Sequence, residues 1–447
     1  MEENAATNRV LLVGGGAREH AIGAAIAASR SAELYTVAHN HNPGLVRLSR
    51  EFALHDEKDV LWVAEWAKSH SLNLAVIGLE DPLSLGIADA LWDVGIPTVG
   101  PRREAARLES SKLFTRELML RHQIPGRVEH HYFSDPIALE QFMRSSDRLW
   151  ALKPVGLTAG QGVKLMGDQL PTLADALAYG KQVISEQIGG TPGIILEELL
   201  RGPEFTLQCF VDGKTVVPMP LVRDYKRAFD GDLGPNTGSM GSYSLATGLL
   251  PFVSESVRDE ALSIVTQITD AVLREGFLYQ GIMYGQFIMT GTGIRLIEIN
   301  ARFGDPEAVN VLPLLEGDFV EICRAITTGE LRPDQVRFRP LATICKYVTP
   351  PGYGVAPEAE VALEVDERAI ADSGVYTFYA KVDERDGRVF TTRSRSIALL
   401  GVGSTPGVAE SAVEDAVKHI GGRFHIRHDI GKQLDSPVPQ VSLVTSI

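Results

Sequence analysis

Residues 284–307 read YGQFIMTGTGIRLIEINARFGDPE. Apolar runs on either side of a Gly-Thr-Gly tripeptide predict a β-hairpin. With Gly291-Thr292-Gly293 as its loop, Gln286 lies directly opposite Glu298. Strand side chains alternate, so Asn300 shares the face of Glu298 while Ile297 and Ile299 point the other way. Two amide oxygens and one carboxylate on a single patch are hard donors suited to Mg²⁺ or Mn²⁺, above all where nucleotide phosphates complete the shell. The competing reading is the polar outer face of an ordinary strand. The six residues that close the stretch, RFGDPE, gather Arg302, Asp305 and Glu307 around a glycine and a proline. A guanidinium there grips paired phosphoryl or carboxylate oxygens. A solvated turn would explain the same string without a ligand.

Two glycine-rich stretches lie upstream. KPVGLTAGQGVKLM, residues 153–166, lacks the spacing of a P-loop, and a strand follows it. It reads either as a connecting hairpin or as a flexible lid whose backbone N–H groups close over phosphates, with Lys153 as a point charge at the strand end. GPNTGSMGSYS, residues 234–244, follows DYKRAFDGD and has almost no apolar periodicity. It is a linker or a binding loop. Asp224, Lys226 and Arg227 are plain charges in the first case and substrate contacts in the second.

At the N-terminal end, RVLLVGGGAREHA (residues 9–21) runs a strand into three glycines and a helix. Short apolar strands then alternate with helical patterns through IPTVG, which predicts a small doubly wound parallel sheet. A dinucleotide fingerprint wants a third glycine at position 19, which is Glu19, and an acidic residue after the second strand, where His39 and Asn40 stand. The turn is therefore unsuited to a nicotinamide cofactor. It remains either a structural turn or an anion site at a helix N-terminus.

Composition bounds the rest. A chain of 447 residues suggests two to four domains. A formal charge of −14 argues against general nucleic-acid binding. No apolar run is long enough for a membrane span, and MEENAATN has no signal core, so a cytoplasmic protein is expected. Cys209, Cys323 and Cys345 are far apart and form no metal-spaced pair.

The order of these motifs, with LESSKLF, LEELL, PEF and a closing HIRHDIG, resembles the phosphoribosylamine–glycine ligase (glycinamide ribonucleotide synthetase) family of the ATP-grasp superfamily over essentially the whole chain. The resemblance implies an α/β fold: an N-terminal doubly wound domain (1–107), a two-lobed ATP-grasp core (108–334, lid lobe about 130–200) and a small C-terminal α+β domain (335–447). It implies ATP-dependent joining of glycine to 5-phosphoribosylamine through a glycyl phosphate, with ADP and phosphate released. Two Mg²⁺ or Mn²⁺ ions would be held by Gln286, Glu298 and Asn300. Lys112, Lys153 and the Gly160-Gln161-Gly162 loop would meet the ATP phosphates. Glu197, Glu198 and Leu199 would line the adenine site, and Glu204 would meet the ribose. Arg302 would sit at the transferred phosphoryl group, with Lys153, Asp224 and Lys226 also catalytic. Arg227, Pro235, Asn236, Thr237, Gly238, Met240, Gly241, Asp305 and Glu307 would build the amino-acid and sugar end. Gly14, Gly15, Gly16 and Arg18 would take the 5-phosphate. The implied ligands are small molecules, with no nucleic acid and no membrane, and a single activity. Gln161, Ser239, Val309 and Arg393-Ser394-Arg395 depart from the usual pattern. A carboxylase or another amino-acid ligase of the superfamily, or a nucleotide-binding protein without turnover, are the competing readings.

Overall fold

The computed structural model describes residues 7–158, 162–432 and 434. Strands β1 (Asn8–Val13), β2 (Ala32–Ala38), β3 (Glu51–Leu54), β4 (Leu74–Ile77) and β5 (Thr98–Val99) form a wholly parallel sheet in the order β3-β2-β1-β4-β5. Val10 to Val13 are fully buried because helices cover both faces, which is why this strand is a continuous apolar run. Strand order reverses beside β1, so the carboxyl ends of β1 and β4 flank the crevice where such sheets bind ligands. The glycine turn leaves β1 there, and Glu80 opens the helix that follows β4.

Two antiparallel sheets face each other beyond it. The smaller has the strand order His130–Phe133, Ile194–Glu198, Trp150–Pro154, Lys164–Leu165. Its last pair is the hairpin expected from KPVGLTAGQGVKLM. Behind it, Leu139, Met143, Leu152, Val183 and Leu196 form a separate small core. The second sheet orders Val216–Pro218, Glu204–Val211, Gly281–Thr290 and Gly293–Asn300. It packs on the long helix Glu255–Arg274 through Ile264, Val265, Ile268 and Val272.

The C-terminal quarter does not merely rest on this core. Strand Gly241–Ser244 pairs antiparallel with Ala342–Val348, which pairs in turn with Ile397–Gly403. One five-stranded sheet therefore joins residues Arg223–Asp224 and Gly241–Ser244 to C-terminal strands. Arg427, fully buried, holds the junction by bonds to Asp232 (2.8 Å), Asp429 (2.8 and 2.6 Å) and the Arg227 carbonyl (3.0 Å).

Candidate active site

The hairpin pairs Gln286 with Glu298 and Tyr284 with Asn300, as expected. It reaches that register by a different route. The loop is two residues, Gly291-Thr292, since Thr290 pairs with Gly293. The register then slips between Gln286 and Phe287, leaving Ile297 as the extra residue of a β-bulge. The bulge also corrects the facing of Ile297: Leu296 enters the core and Ile299 packs at its edge, whereas Ile297 and Glu298 line the cavity side by side, with Ile299 also bordering it. Gln286 and Asn300 share that wall. Burial works to raise the Glu298 carboxyl, but Lys226, Lys112, Lys153 and Arg302 outweigh it and hold the group below its usual range. The donor set is thus one reliably anionic oxygen group and two amides, which fits a hard divalent ion completed by phosphate oxygens.

The cavity, about 690 Å³, lies between the two antiparallel sheets and the N-terminal domain. Lys153 reaches Glu197 at 2.6 Å. Glu197 also takes Arg116 in a two-pronged contact at 2.7 and 3.0 Å. Burial disfavours its charge, yet Arg116 and Lys153 pull it down to about 2. The Glu197 carboxylate is therefore committed to protein partners. Lys112 donates to the Gly156 carbonyl at 2.9 Å, and burial lowers its ammonium. Glu198, Leu199 and Glu204 line the same space. Glu204 accepts from Lys226 (3.1 Å) and from the Gln286 amide (2.5 Å), so Gln286 turns its oxygen to the other side. Asp224, half-buried, is raised by burial and by the Glu204 charge, and the buried Glu307 is raised to about 7 by burial and by the Asp224 charge. Tyr284 donates to Glu307 at 2.9 Å.

Arg302 is gripped from both sides. Its Nε meets Glu80 at 3.1 Å and its Nη2 meets Glu109 at 3.0 Å, with Asn300 Oδ1 at 3.2 Å. Glu80 falls to about 2, because Arg302 and Arg18 overcome its burial. Glu109 is pushed up to about 7 by burial that Arg302 does not fully offset. Sequence reasoning missed both acids. Glu80 stands at the carboxyl end of β4, where the switch-point rule locates ligand residues. Glu109 sits three residues before Lys112 in LESSKLF.

The glycine turn is engaged by the chain's own carboxylate. Gly16 opens helix α1 (Ala17–Ala27), but its N–H donates to the Glu19 carboxylate at 2.7 Å. A carboxylate satisfies a helix N-terminus for the same reason a phosphate would. Arg18 is likewise engaged, donating to Glu19 at 2.6 Å and to the Phe303 carbonyl at 3.0 Å. Arg18 lines the cavity; Gly14, Gly15 and Gly16 do not.

The loop after Asp224 divides. Arg227, Asn236, Thr237 and Gly238 line the cavity, while Pro235 does not. Met240 is fully buried in the core, and a Cβ on Gly241 would lie 2.2 Å from the Cys345 carbonyl oxygen. Both belong to the shared sheet rather than the binding wall. Ser239 adopts φ +94°, a conformation in which glycine is at ease, which accounts for the usual glycine there. Val309 packs in the main core, where an apolar side chain is at home. Arg395 departs least in effect: it joins Asp305 at 2.8 Å and the Gly238 carbonyl at 2.6 Å on the cavity wall. Gly160 and Gln161 lie outside the described residues.

This wall offers cations for a polyphosphate, hard oxygen donors for a divalent ion, and buried acids for an ammonium. The comparisons agree with that chemistry. The sequence matches the descriptions of phosphoribosylglycinamide synthetase: the N domain over residues 8–109, the ATP-grasp (A) domain over 110–308 and the C domain over 343–433. It is 45% identical over 423 residues to the phosphoribosylamine–glycine ligase of Methanothermobacter thermautotrophicus, covering 95% of this chain and 96% of that one. It is 44% identical over 423 residues to the enzyme of the same name from Pyrococcus horikoshii, covering 95% and 94%. The crystal structure of phosphoribosylamine–glycine ligase from Thermotoga maritima superposes with a TM-score of 0.79 at 26% identity, over 94% of this chain and 99% of that one. A biotin carboxylase domain from Hydrogenobacter thermophilus (TM-score 0.70, 16% identity, 95% and 92% covered) shares the fold. The chain belongs to the phosphoribosylglycinamide synthetase family, ATP-dependent ligases that join glycine to phosphoribosylamine in purine biosynthesis.

Proposed function

We propose that ligation proceeds through glycyl phosphate in the single cavity described above, with two Mg²⁺ or Mn²⁺ ions held by Gln286, Glu298 and Asn300. The observation that carries this is the convergence of those donors with Lys112, Lys153 and Arg302 on one wall. Bound ions would neutralise charge on the β- and γ-phosphates. Lys112 and Lys153 contact the ATP phosphates, Lys153 shifting its allegiance from Glu197. Glu198 and Leu199 line the adenine end and Glu204 the ribose. A glycine carboxylate oxygen attacks the γ-phosphorus, the bond to the β-phosphate oxygen breaks, and ADP leaves. Arg302 stabilises the transferred group through its remaining N–H. Asp224 and Glu307, whose ionisation burial opposes, receive the glycine ammonium, which favours their charged forms. The sugar amine then attacks the glycyl carbonyl carbon, the carbon–oxygen bond to phosphate breaks, and the nitrogen gives up one proton.

Asn236, Thr237 and Gly238 close over the sugar, and Arg18 with Arg395 gives its phosphate a cationic rim. Residues 1–107, 108–334 and 335–447 are the working parts. No helix among the described residues is long and apolar enough to cross a membrane; we place the chain in the cytoplasm.

The test is a coupled ADP assay in which glycine and freshly generated phosphoribosylamine are omitted in turn. ADP release should need both. Release that needs bicarbonate instead would make the chain a carboxylase.

A further inference from the structure

The bulge at Ile297 decides whether Glu298 faces Gln286. Continued without it, the register of the outer hairpin would set Ile297 opposite Gln286, and a one-residue slip turns a side chain to the other face. A bulge also leaves its extra residue outside the ladder. One buried side chain holds this one. Arg116, only 4% exposed, donates from Nη1 to the Leu296 carbonyl at 2.9 Å and from Nη2 to the Ile297 carbonyl at 2.6 Å. Its other prongs grip Glu197, which also holds Lys153. A planar fork spanning two carbonyls and a carboxylate is a task that a lysine ammonium cannot reproduce.

The geometry points to Arg116 as a positioning residue for the divalent-ion site: it fixes the bulge and thereby the direction of Glu298. This rests on the metal reading above; Arg116 borders the cavity, but its guanidinium is taken up by the two carbonyls and Glu197. Helix Lys112–Arg121 brings it in, so the same helix carries a phosphate contact at its first residue and the support of the metal strand one turn later. Outer-shell partners of metal ligands typically cost roughly 10- to 100-fold in affinity when changed.

The experiment is a Mn²⁺ titration of the full chain followed by electron paramagnetic resonance, beside metal-free ADP binding and thermal unfolding. Arg116→Lys should weaken Mn²⁺ binding roughly 10- to 100-fold while metal-free ADP binding stays within about threefold. Mn²⁺ affinity equal to wild type in the folded variant overturns the assignment, as does an equal loss in both titrations. If Arg116→Lys does not fold, Glu197→Gln provides the second reading. It removes the charged anchor and leaves both carbonyl contacts, so a smaller loss of Mn²⁺ affinity supports the assignment and none overturns it. A wild-type chain that binds no Mn²⁺ overturns the metal reading and this one with it.

Discussion

Glu298 is the single anionic group among the three proposed ligands, and four cations keep it charged. Glu298→Gln should abolish turnover with the fold intact, read by activity at saturating Mg²⁺ and by circular dichroism; near-normal activity would put the metal elsewhere. Glu109 carries a pH signature. Its folded value, about 7, lies above its ordinary 4.5, so the folded chain binds more protons between those values. Its contribution to stability is full below pH 4.5 and lost as pH rises through 7. Glu109→Gln should flatten the fall in unfolding midpoint of the ligand-free protein across that window, measured by denaturation at several pH values. Ser239 tests the departure from the family pattern. Its φ of +94° costs on the order of 1–3 kcal/mol, against about 1 kcal/mol for the bond from its hydroxyl to the Gly241 carbonyl. Ser239→Gly should therefore stabilise the chain by about 1 kcal/mol in urea unfolding, and a loss would show the hydroxyl to be worth more than the strain.

The hairpin shows how far local pattern carries. Gln286 and Glu298 could be paired from alternation alone, yet the two-residue turn and the bulge were invisible, because their errors cancel at the ligand rows. Alternation reports which residues are polar; the bulge is set by Arg116, far away in sequence. Glu80, Glu109 and Arg395 escaped for the same reason, each being defined by a contact between distant segments. The glycine turn differs. Pattern showed a helix N-terminus wanting an anion, but not that Glu19, from within the helix, would supply it. The base of the lid hairpin offers a test at this scale. A Cβ on Gly156 would lie 2.1 Å from the Gly189 carbonyl oxygen, and the Gly156 carbonyl takes Lys112. Gly156→Ala should displace that carbonyl and raise the KM for ATP roughly tenfold, a change of about 1.4 kcal/mol, while the KM for glycine moves less. Steady-state kinetics with each substrate varied would settle it.

At the scale of the whole chain, alternating strands and helices made the N-terminal sheet legible, and the two-lobed core followed from the family pattern. The sheet that spans Arg223–Asp224, Gly241–Ser244 and the C-terminal strands was not legible, since its partners lie about a hundred residues apart. Its continuity predicts that the C-terminal quarter does not melt alone. Calorimetry should show the core and C-terminal strands unfolding in one transition, and a separate early peak for the C-terminal strands would contradict the shared sheet. The same seam limits how such enzymes exchange parts. A chimaera joined near residue 335 would splice one parent's Ala342–Val348 against the other's Gly241–Ser244, where the Gly241 Cα lies too close to the Cys345 carbonyl for any larger residue. Viable crossovers must carry the 223–244 segment along with the C-terminal quarter, so the heritable unit here is discontinuous in the gene.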